Sequence, residues 1–262
     1  MGFATRFRHQ TDMSHLIVSR TGDVLGITID RPAKRNALSR AVLAEIHLAF
    51  GEHAKDETIK AVILTGAGDK CFAAGGDLKE LEAVREPEEA TRFSIEAKAA
   101  LQAVRDFPAP VIARMNGDAW GGGAELALAC DLRALALHAR LGFLQGKLAV
   151  TTGWGGGYDL IRRVGSSTAL RLLARAEILS ADETRALGLA DAVDADADAA
   201  VETLLAPMLK QSAHVLRGFK AIAIAHDRQL RSAVDHAETE AFVAAWVHPD
   251  HWAASAKAFR KD

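Results

Sequence analysis

Ala113-Arg-Met-Asn-Gly-Asp-Ala-Trp-Gly-Gly-Gly-Ala-Glu-Leu-Ala-Leu-Ala-Cys-Asp-Leu132 is the stretch of sequence that decides the fold. The apolar run that ends at Ala113 predicts a buried strand, and residues 124–130 are rich in helix formers. A strand that passes through glycines into a helix leaves bare N–H groups at the helix N-terminus, where they stabilise a negative oxygen. Glu125 lies in the first turn of this predicted helix. Amide donors beside a carboxylate suit chemistry next to a carbonyl, although a glycine triplet also forms plain tight turns.

The composition excludes several classes of protein. The chain has 262 residues, of which 49% are hydrophobic, and this is enough for a sizeable core. A formal net charge of -2 argues against general nucleic-acid binding. Two cysteines, Cys71 and Cys130, cannot build a disulfide framework, which fits a reducing, cytoplasmic location. Since no apolar run approaches the length of a membrane span and the histidines lack metal-ligand spacing, we expect neither a membrane partner nor a metal site.

A second strand passes through small residues into a helix. Residues 61–65 predict a buried strand, and Phe72-Ala-Ala-Gly-Gly-Asp-Leu78 follows it. The small side chains allow a ligand to approach the backbone closely. Asp77 with Glu80 three residues later is typical of a capping box, which is a structural role. The charged residues from 79 to 96 favour a solvated, mobile segment.

The order of the predicted elements indicates an α/β fold with a helical end. A hairpin over residues 16–29 is followed by alternating helices and strands to about residue 195, and the rest is helical. Ser39 and Ser180 are predicted helix N-caps, and Gly165 is predicted to end a helix. We therefore divide the chain into a flexible extension (1–14), an α/β core (15–195) and a helical oligomerisation region (196–262).

Three sequence signatures, together with Cys130-Asp131, resemble the crotonase (enoyl-CoA hydratase/isomerase) family over about residues 16–260. They are Arg-Pro-Ala-Lys-Arg-Asn-Ala-Leu-Ser at residues 31–39, the residues 72–78 quoted above, and Asn116-Gly with Gly-Gly-Gly-Ala-Glu-Leu-Ala at residues 121–127. The resemblance implies a crotonase-like spiral of ββα turns and a helical C-terminal trimerisation region. It further implies a homotrimer or a dimer of trimers. The implied substrate is an acyl-coenzyme A thioester, and no separate cofactor is expected because coenzyme A is part of that substrate.

The resemblance also assigns site residues. The backbone N–H groups of Ala74 and Gly122 would form an oxyanion hole around the thioester oxygen, and Glu125 would act as acid and base. Two such preorganised donors can each contribute roughly a hundred- to thousand-fold in rate. The remaining implied substrate-binding residues are Lys34, Ala37 and Leu38 near the adenine end, Ala73, Gly75, Gly76, Asp77 and Leu78 along the acyl and pantetheine path, and Phe259 at the C-terminus.

One position departs from the family pattern. Typical hydratases of the family carry a second glutamate in Phe-Gly-x-Pro-Glu, whereas this chain has Leu-Gly-Phe-Leu-Gln at residues 141–145. The amide of Gln145 cannot transfer a proton as a carboxylate does. Glu125 must therefore perform both proton transfers of a hydration, or the reaction must differ. Isomerases that rely on the missing acid are disfavoured.

Three hypotheses follow for the function. The family as a whole favours a hydratase-type lyase of fatty acid metabolism. The pattern around Trp154, Gly-Trp-Gly-Gly, resembles that of methylmalonyl- and ethylmalonyl-CoA decarboxylase-like relatives. In a decarboxylation by this chain, Gln145 could bind the departing carboxylate. Trp154 is a candidate substrate-binding residue, and it could equally be a packing residue at a helix start. The third hypothesis is an acyl-CoA-binding protein without catalysis, against which the retained Glu125 argues.

Overall fold

The structure is a computed structural model that describes the backbone of residues 9–12 and 14–259. Side chains are described for residues 14–259 apart from 226, 228–230 and 259. In chain order the strands are β1 (His9–Asp12), β2 (Leu16–Thr21), β3 (Val24–Ile29), β4 (Ala61–Gly66), β5 (Cys71–Ala73), β6 (Val111–Met115), β7 (Asp118–Trp120), β8 (Leu132–Ala136), β9 (Leu141–Gly142), β10 (Ile178–Leu179) and β11 (Ala192–Asp194). The helices are α1 (Arg40–His53), α2 (Leu78–Leu81), α3 (Pro87–Arg105), α4 (Gly122–Ala129), α5 (Gly156–Arg175), α6 (Ala181–Ala186), α7 (Ala197–Leu209), α8 (Ala213–Trp246) and α9 (Pro249–Phe259).

The strands form two sheets within the described residues. The larger sheet has the order β1-β2-β3-β4-β6-β8-β11, and the smaller has the order β10-β9-β7-β5. Strands β1 to β3 are antiparallel, and Leu16 pairs with Ile29 across the predicted hairpin. From β3 onward the neighbours in the larger sheet are parallel. Parallel pairing requires crossovers, and these crossovers produce the spiral.

Three turns of the spiral each add one strand to each sheet and are followed by one or two helices. β4 and β5 are followed by α2 and α3, β6 and β7 by α4, and β8 and β9 by α5. A tight corner at Gly117 separates β6 from β7, and a Cβ there would collide with the backbone of Lys70. The structure therefore confirms the predicted α/β fold of ββα turns.

Local sequence signals explain several helix ends. The Ser39 hydroxyl accepts a hydrogen bond from the Val42 N–H at the start of α1. Ser180 and Glu183 form the predicted capping box at the start of α6. Gly165 has a φ of 75° and interrupts α5, as its position in the sequence predicts. These predictions are confirmed because each depends on residues close in sequence.

Most charged residues of the segment 79–96 are exposed, as predicted, but the segment is helical from Pro87 and several of its apolar residues are buried. Pro87 lies at the start of helix α3, where a backbone N–H would have no acceptor within the helix, so proline costs no hydrogen bond there. Val84 and Phe93 are buried in the main hydrophobic core. The charges lie on the outer side, and Arg40 of α1 pairs there with Glu89 and Glu96. The amphipathic period of α3 therefore outweighs its high charge.

The terminal predictions have mixed outcomes. Residues 1–8 and 13 of the predicted flexible extension lie outside the described residues, whereas His9–Asp12 pair with β2 as a strand. Downstream of the core, α7 to α9 make the chain helical from Ala197, as predicted. No helix in the described part of the chain combines the length and apolarity that a membrane crossing requires.

The fold buries α4 completely and covers its N-terminus with distant elements. All eight residues of α4 are buried. Phe242 and Trp246, on the C-terminal helix α8, pack against Phe93 of α3. The glycine turn before α4, with Gly121 and Gly122, borders a cavity that Phe242 and Trp246 also line.

Candidate active site

A cavity of about 310 Å³ lies beside the N-terminus of α4. Eight of the residues predicted from the sequence line it: Ala74, Gly75, Gly76, Leu78, Gly122, Glu125, Gln145 and Trp154. The predicted residues Lys34, Ala37, Leu38, Ala73 and Asp77 lie outside this lining. The side chain of Phe259 is outside the described residues.

The first and second signatures pair directly beside the cavity. The Leu38 N–H donates to the Gly75 carbonyl at 2.8 Å, and the Asp77 N–H donates to the Leu38 carbonyl at 3.1 Å. Ala73 is buried in β5 behind this pairing. Leu38 and Ala73 thus shape the cavity through the backbone rather than by touching its contents.

The predicted capping box at Asp77 is wrong. Asp77 occupies the N-cap position of α2, but its side chain makes no capping hydrogen bond. Instead, Oδ2 accepts from Arg31 Nη2 at 2.9 Å and from Lys34 Nζ at 3.5 Å. Although burial alone would raise the pKa of Asp77, these two cations lower it. Asp77 therefore ties the first signature to the second.

Glycine is required at both turns that face the cavity. Gly75 has a φ of 93°, and a Cβ there would be 2.9 Å from the Trp120 carbonyl oxygen. A Cβ at Gly122 would collide with the Trp154 ring. The Gly122 N–H is at the first position of α4 and has no acceptor within the helix. The Ala74 N–H donates to the Arg35 carbonyl at 3.1 Å, so it already has an acceptor.

Glu125 is the buried carboxylate of this site. Its Oε2 accepts hydrogen bonds from the Trp154 and Gly156 N–H groups, both at 2.9 Å. Its Oε1 accepts from Gln145 Nε2 at 2.9 Å. Burial, followed by the nearby Glu238 carboxylate, raises the pKa of Glu125 to about 8. Glu125 can therefore change protonation state near neutral pH.

Gln145 carries the unused polar atom of the site. Within the described residues its Oε1 is buried and has no hydrogen-bond partner. Gln145 begins a short 3-10 helix, Gln145–Leu148, that borders the cavity. A buried oxygen without a partner is costly, so a donor on a bound molecule would stabilise it.

Trp154 is a packing residue whose ring also lines the cavity, and its predicted contact with substrate stays a prediction. Its side chain is buried, contacts Phe93 edge to face at 5.8 Å, and lines the cavity. The ring lies over Gly122 and near Gly76, where a Cβ would be 3.7 Å from it. The Trp154 ring packs against the core on one side and lines the cavity on the other, so it separates the two.

The sequence analysis missed most of the apolar lining. This lining consists of Leu81, Trp120, Leu144, Leu148, Val150, Phe242 and Trp246. The i, i+4 spacing of Phe242 and Trp246 on α8 indicates a shared buried face but not what that face contacts. The chamber therefore combines amide donors and one carboxylic acid with apolar walls. Mostly apolar walls with a few polar groups are typical of small-molecule binding sites.

The comparisons with known proteins identify the family of this chain. The model of the family described as enoyl-CoA hydratase/isomerase matches residues 19–260. The short-chain-enoyl-CoA hydratase of Clostridium acetobutylicum is 37% identical over 182 residues, which are 70% of this chain and 69% of that protein. The crotonyl-CoA hydratase of Syntrophomonas wolfei is 35% identical over 179 residues, 68% of each chain.

The solved structures include an enoyl-CoA hydratase from Bacillus anthracis with a TM-score of 0.76 and 30% identity, covering 95% of this chain and 96% of that one. An enoyl-CoA hydratase from Mycobacterium avium subsp. paratuberculosis has a TM-score of 0.84 and 25% identity, with 94% and 99% covered. The chain belongs to the enoyl-CoA hydratase/isomerase family.

Proposed function

We propose that this member of the enoyl-CoA hydratase/isomerase family adds water across the α,β double bond of an enoyl-CoA thioester. The observation that carries the proposal is the pair formed by Glu125 and Gln145. Glu125 is a buried acid with a pKa raised to about 8, mainly by burial. It is hydrogen-bonded to Gln145, whose free Oε1 is available for a water molecule. The hydratases of Clostridium and Syntrophomonas among the relatives support the same reaction class.

The Gly122 N–H is the proposed oxyanion donor. Attack on an enoyl thioester places enolate charge on the thioester oxygen, and an amide at a helix N-terminus stabilises that charge. Ala74 is the proposed second donor. Because its N–H is bonded to the Arg35 carbonyl, the thioester oxygen must share or replace that bond.

Glu125 performs both proton transfers in this proposal. In its ionised form it takes a proton from water as the water oxygen bonds to the β-carbon and the double-bond electrons move toward the thioester oxygen. The protonated Glu125 then gives this proton to the α-carbon as the enolate collapses. Two hydrogens and one oxygen are added, and Glu125 returns to its ionised form. One acid therefore suffices, provided that it starts ionised.

Gln145 orients the water in this scheme. While Nε2 donates to the ionised Glu125, Oε1 accepts the second hydrogen of the attacking water. In this orientation Oε1 would repel a carboxylate, which favours hydration over loss of CO2 from a malonyl-type ester. Apolar walls, including Leu144 and Phe242, are suited to an uncharged acyl chain.

Decarboxylation of a malonyl-type CoA ester is the second candidate. A specific observation favours it, because the raised pKa leaves Glu125 mostly protonated at neutral pH. A protonated Glu125 can donate to Gln145 Oε1, and the turned amide then offers Nε2 to a carboxylate. Loss of CO2 would leave an enolate that Glu125 protonates at the α-carbon. The two reactions thus require opposite protonation states of the same residue.

The decisive experiment is mass spectrometry of the purified protein incubated with a panel of CoA thioesters. The panel contains crotonyl-CoA, longer enoyl-CoA esters, methylmalonyl-CoA and ethylmalonyl-CoA. We expect a gain of one water on an enoyl ester, and we expect Glu125→Gln to abolish this while CoA-ester binding remains. Loss of CO2 would establish the second candidate. Esters that bind but return unchanged would establish a binding protein without catalysis.

The placement of coenzyme A and the assembly complete the proposal. Lys34 has a side chain that is 61% exposed, and together with Ala37 and Leu38 it is proposed to meet the adenine end of coenzyme A.

The proposed assembly is a homotrimer or a dimer of trimers, located in the cytoplasm. Exposed apolar side chains on α8, Phe219 and Ile222, support contacts between copies. Light scattering coupled to size exclusion tests the assembly, and a monomeric mass would contradict it.

A further inference from the structure

Residues 154–157 present four consecutive amide N–H groups to two buried carboxylates in alternation. The Trp154 and Gly156 N–H groups donate to Glu125 Oε2. The Gly155 N–H donates to Glu238 Oε2 at 2.7 Å, and the Gly157 N–H donates to Glu238 Oε1 at 2.9 Å. Both acids therefore hold the same short loop. The amides that bind Glu125 cannot shift without moving the amides that bind Glu238, because the two pairs alternate along the chain.

Glu238 comes from a distant part of the chain. It lies on α8, is only 8% exposed, and is not among the residues that line the cavity. Its oxygen atoms therefore serve the loop and not a bound molecule. Ser94 of α3 supports the same loop, since its hydroxyl donates to the Gly153 carbonyl at 2.6 Å.

The charged groups around Glu238 are all buried or partly buried. Lys98 of α3 lies 3.4 Å from Glu238 Oε2 and also donates to the Thr239 hydroxyl at 2.8 Å. Glu125 faces Glu238 across the loop as a like charge. The other charged groups packed here are Asp235 and Arg231 on α8, Arg105 on α3 and Asp159 on α5.

We propose that Glu238 is a positioning residue for the chemistry at Glu125: by binding the Gly155 and Gly157 amides it holds the alternate amides on the catalytic carboxylate and connects helix α8 to the reaction. The inference rests on the proposed role of Glu125 as acid and base. It gives the C-terminal helix a part in catalysis in addition to covering the cavity with Phe242 and Trp246.

Two opposite charge effects follow from this geometry. The negative charge of Glu238 opposes the ionisation of Glu125, and the ammonium group of Lys98 partly cancels that effect. Removal of the Glu238 charge should therefore let Glu125 ionise at lower pH. Removal of the Lys98 charge should delay the ionisation to higher pH. Simple damage to the packing would not produce shifts of opposite sign.

The test uses the full-length protein with Glu238→Gln, Lys98→Met and the control Glu240→Gln. Glu240 lies on the same helix, and its side chain is 71% exposed. The carboxyl band of Glu125 is isolated by infrared difference spectra against the same variant carrying Glu125→Gln, and it is followed across pH. We expect the midpoint to fall by about one pH unit in Glu238→Gln, to rise in Lys98→Met, and to stay constant in the control.

The pH dependence of turnover on an enoyl-CoA provides the second readout. Its midpoint should move with the infrared midpoint, and kcat should change more than KM because Glu238 does not reach the cavity. Unmoved infrared midpoints, or shifts of the same sign in both variants, would overturn the inference. If Glu238→Gln does not fold, Lys98→Met alone decides by the direction of its shift. If the wild type turns over no ester, the proposed hydration is contradicted, while the infrared titration still decides the role of Glu238.

Discussion

Two regions of this chain have nearly the same sequence pattern and opposite chemistry. Gly-Gly-Gly-Ala-Glu at residues 121–125 begins α4, and Gly-Gly-Gly-Tyr-Asp at residues 155–159 begins α5. In both, a glycine with positive φ precedes the helix and an acid occupies the first turn. Glu125 and Asp159 are each at most 2% exposed.

The difference lies in the partners of the two acids. Asp159 accepts hydrogen bonds from Arg105 Nη2 at 2.8 Å and from Arg231 Nη2 at 2.6 Å. Although burial alone would raise the pKa of Asp159, these guanidinium groups hold it below its usual range. Within the part of the chain that the structure describes, the hydrogen-bond donors to Glu125 are all neutral, and burial raises its pKa to about 8. Burial with cations makes a permanent ion, whereas burial among neutral amides makes an acid that can exchange its proton.

Asp159→Asn removes the permanent ion of the comparison and should have the largest effect on folding stability. The substitution leaves Arg105 and Arg231 buried without their shared carboxylate, so we expect the free energy of unfolding to fall by about 3–5 kcal/mol. Urea denaturation measures the change. Asp182→Asn is the matched control, because Asp182 also lies in a first helical turn but is 69% exposed and pairs with the exposed Arg185. Equal losses in the two variants would contradict the assigned role of Asp159.

Glu125→Gln should raise the free energy of unfolding at alkaline pH, whereas Asp159→Asn lowers it. The folded-state pKa of Glu125 is about 8 against an ordinary value of 4.5, so the wild type loses stability as pH rises from about 4.5 to 8. The variant lacks this loss and should be more stable by about 2–4 kcal/mol above pH 8, with little difference near pH 4. Thermal and urea unfolding across pH measure it. Parallel stability curves for the two proteins would show that Glu125 titrates normally.

Gln145→Leu sharpens the comparison by removing the side-chain donor of Glu125. Without this hydrogen bond the ionised form of Glu125 is less stable, and the attacking water loses its acceptor. We expect kcat to fall about tenfold to a hundredfold, which corresponds to about 1.4–3 kcal/mol. Gln211→Leu, at an exposed position between α7 and α8, is the control. Unchanged kcat in Gln145→Leu would remove Gln145 from the mechanism.

The pH dependence of the wild type gives the smallest but most direct test. If hydration starts from ionised Glu125, kcat/KM should rise about tenfold per pH unit below pH 8 and level off above it. If decarboxylation starts from protonated Glu125, the rate should instead fall above about pH 8. Initial rates on the active ester in constant ionic strength distinguish the two. A profile without any transition near pH 8 would contradict both assignments of Glu125.

The parts of the fold that the sequence predicted are those that depend on near neighbours. The hairpin of β2 and β3, the Ser39 cap of α1 and the break at Gly165 all follow from a few adjacent residues. The burial of apolar residues in the segment 79–96 was not predicted, because it depends on the packing of Phe93 against α8. The supposed cap at Asp77 failed in the same way, since Arg31 and Lys34, more than forty residues away, take its carboxylate.

The same distinction between local patterns and distant contacts applies to the residues of the site. Sequence patterns and the family resemblance identified Glu125, Gln145 and the glycine turns, because these lie in contiguous motifs with fixed residue types. They did not identify the apolar lining from Phe242 and Trp246, since periodicity indicates that a helix face is buried but not what it contacts. They also gave no sign that Glu238 shares a loop with Glu125.

The sequence by itself determined the family, the ββα rhythm and the presence of an acid in the first turn of α4. Only the tertiary structure decided which acid can exchange a proton. Arg105 and Arg231 lie 54 and 72 residues from Asp159 along the chain, so no local pattern contains their contact. The physical reason is that the charge state of a buried carboxylate is set by desolvation and by neighbouring charges, and both are created when distant elements pack together.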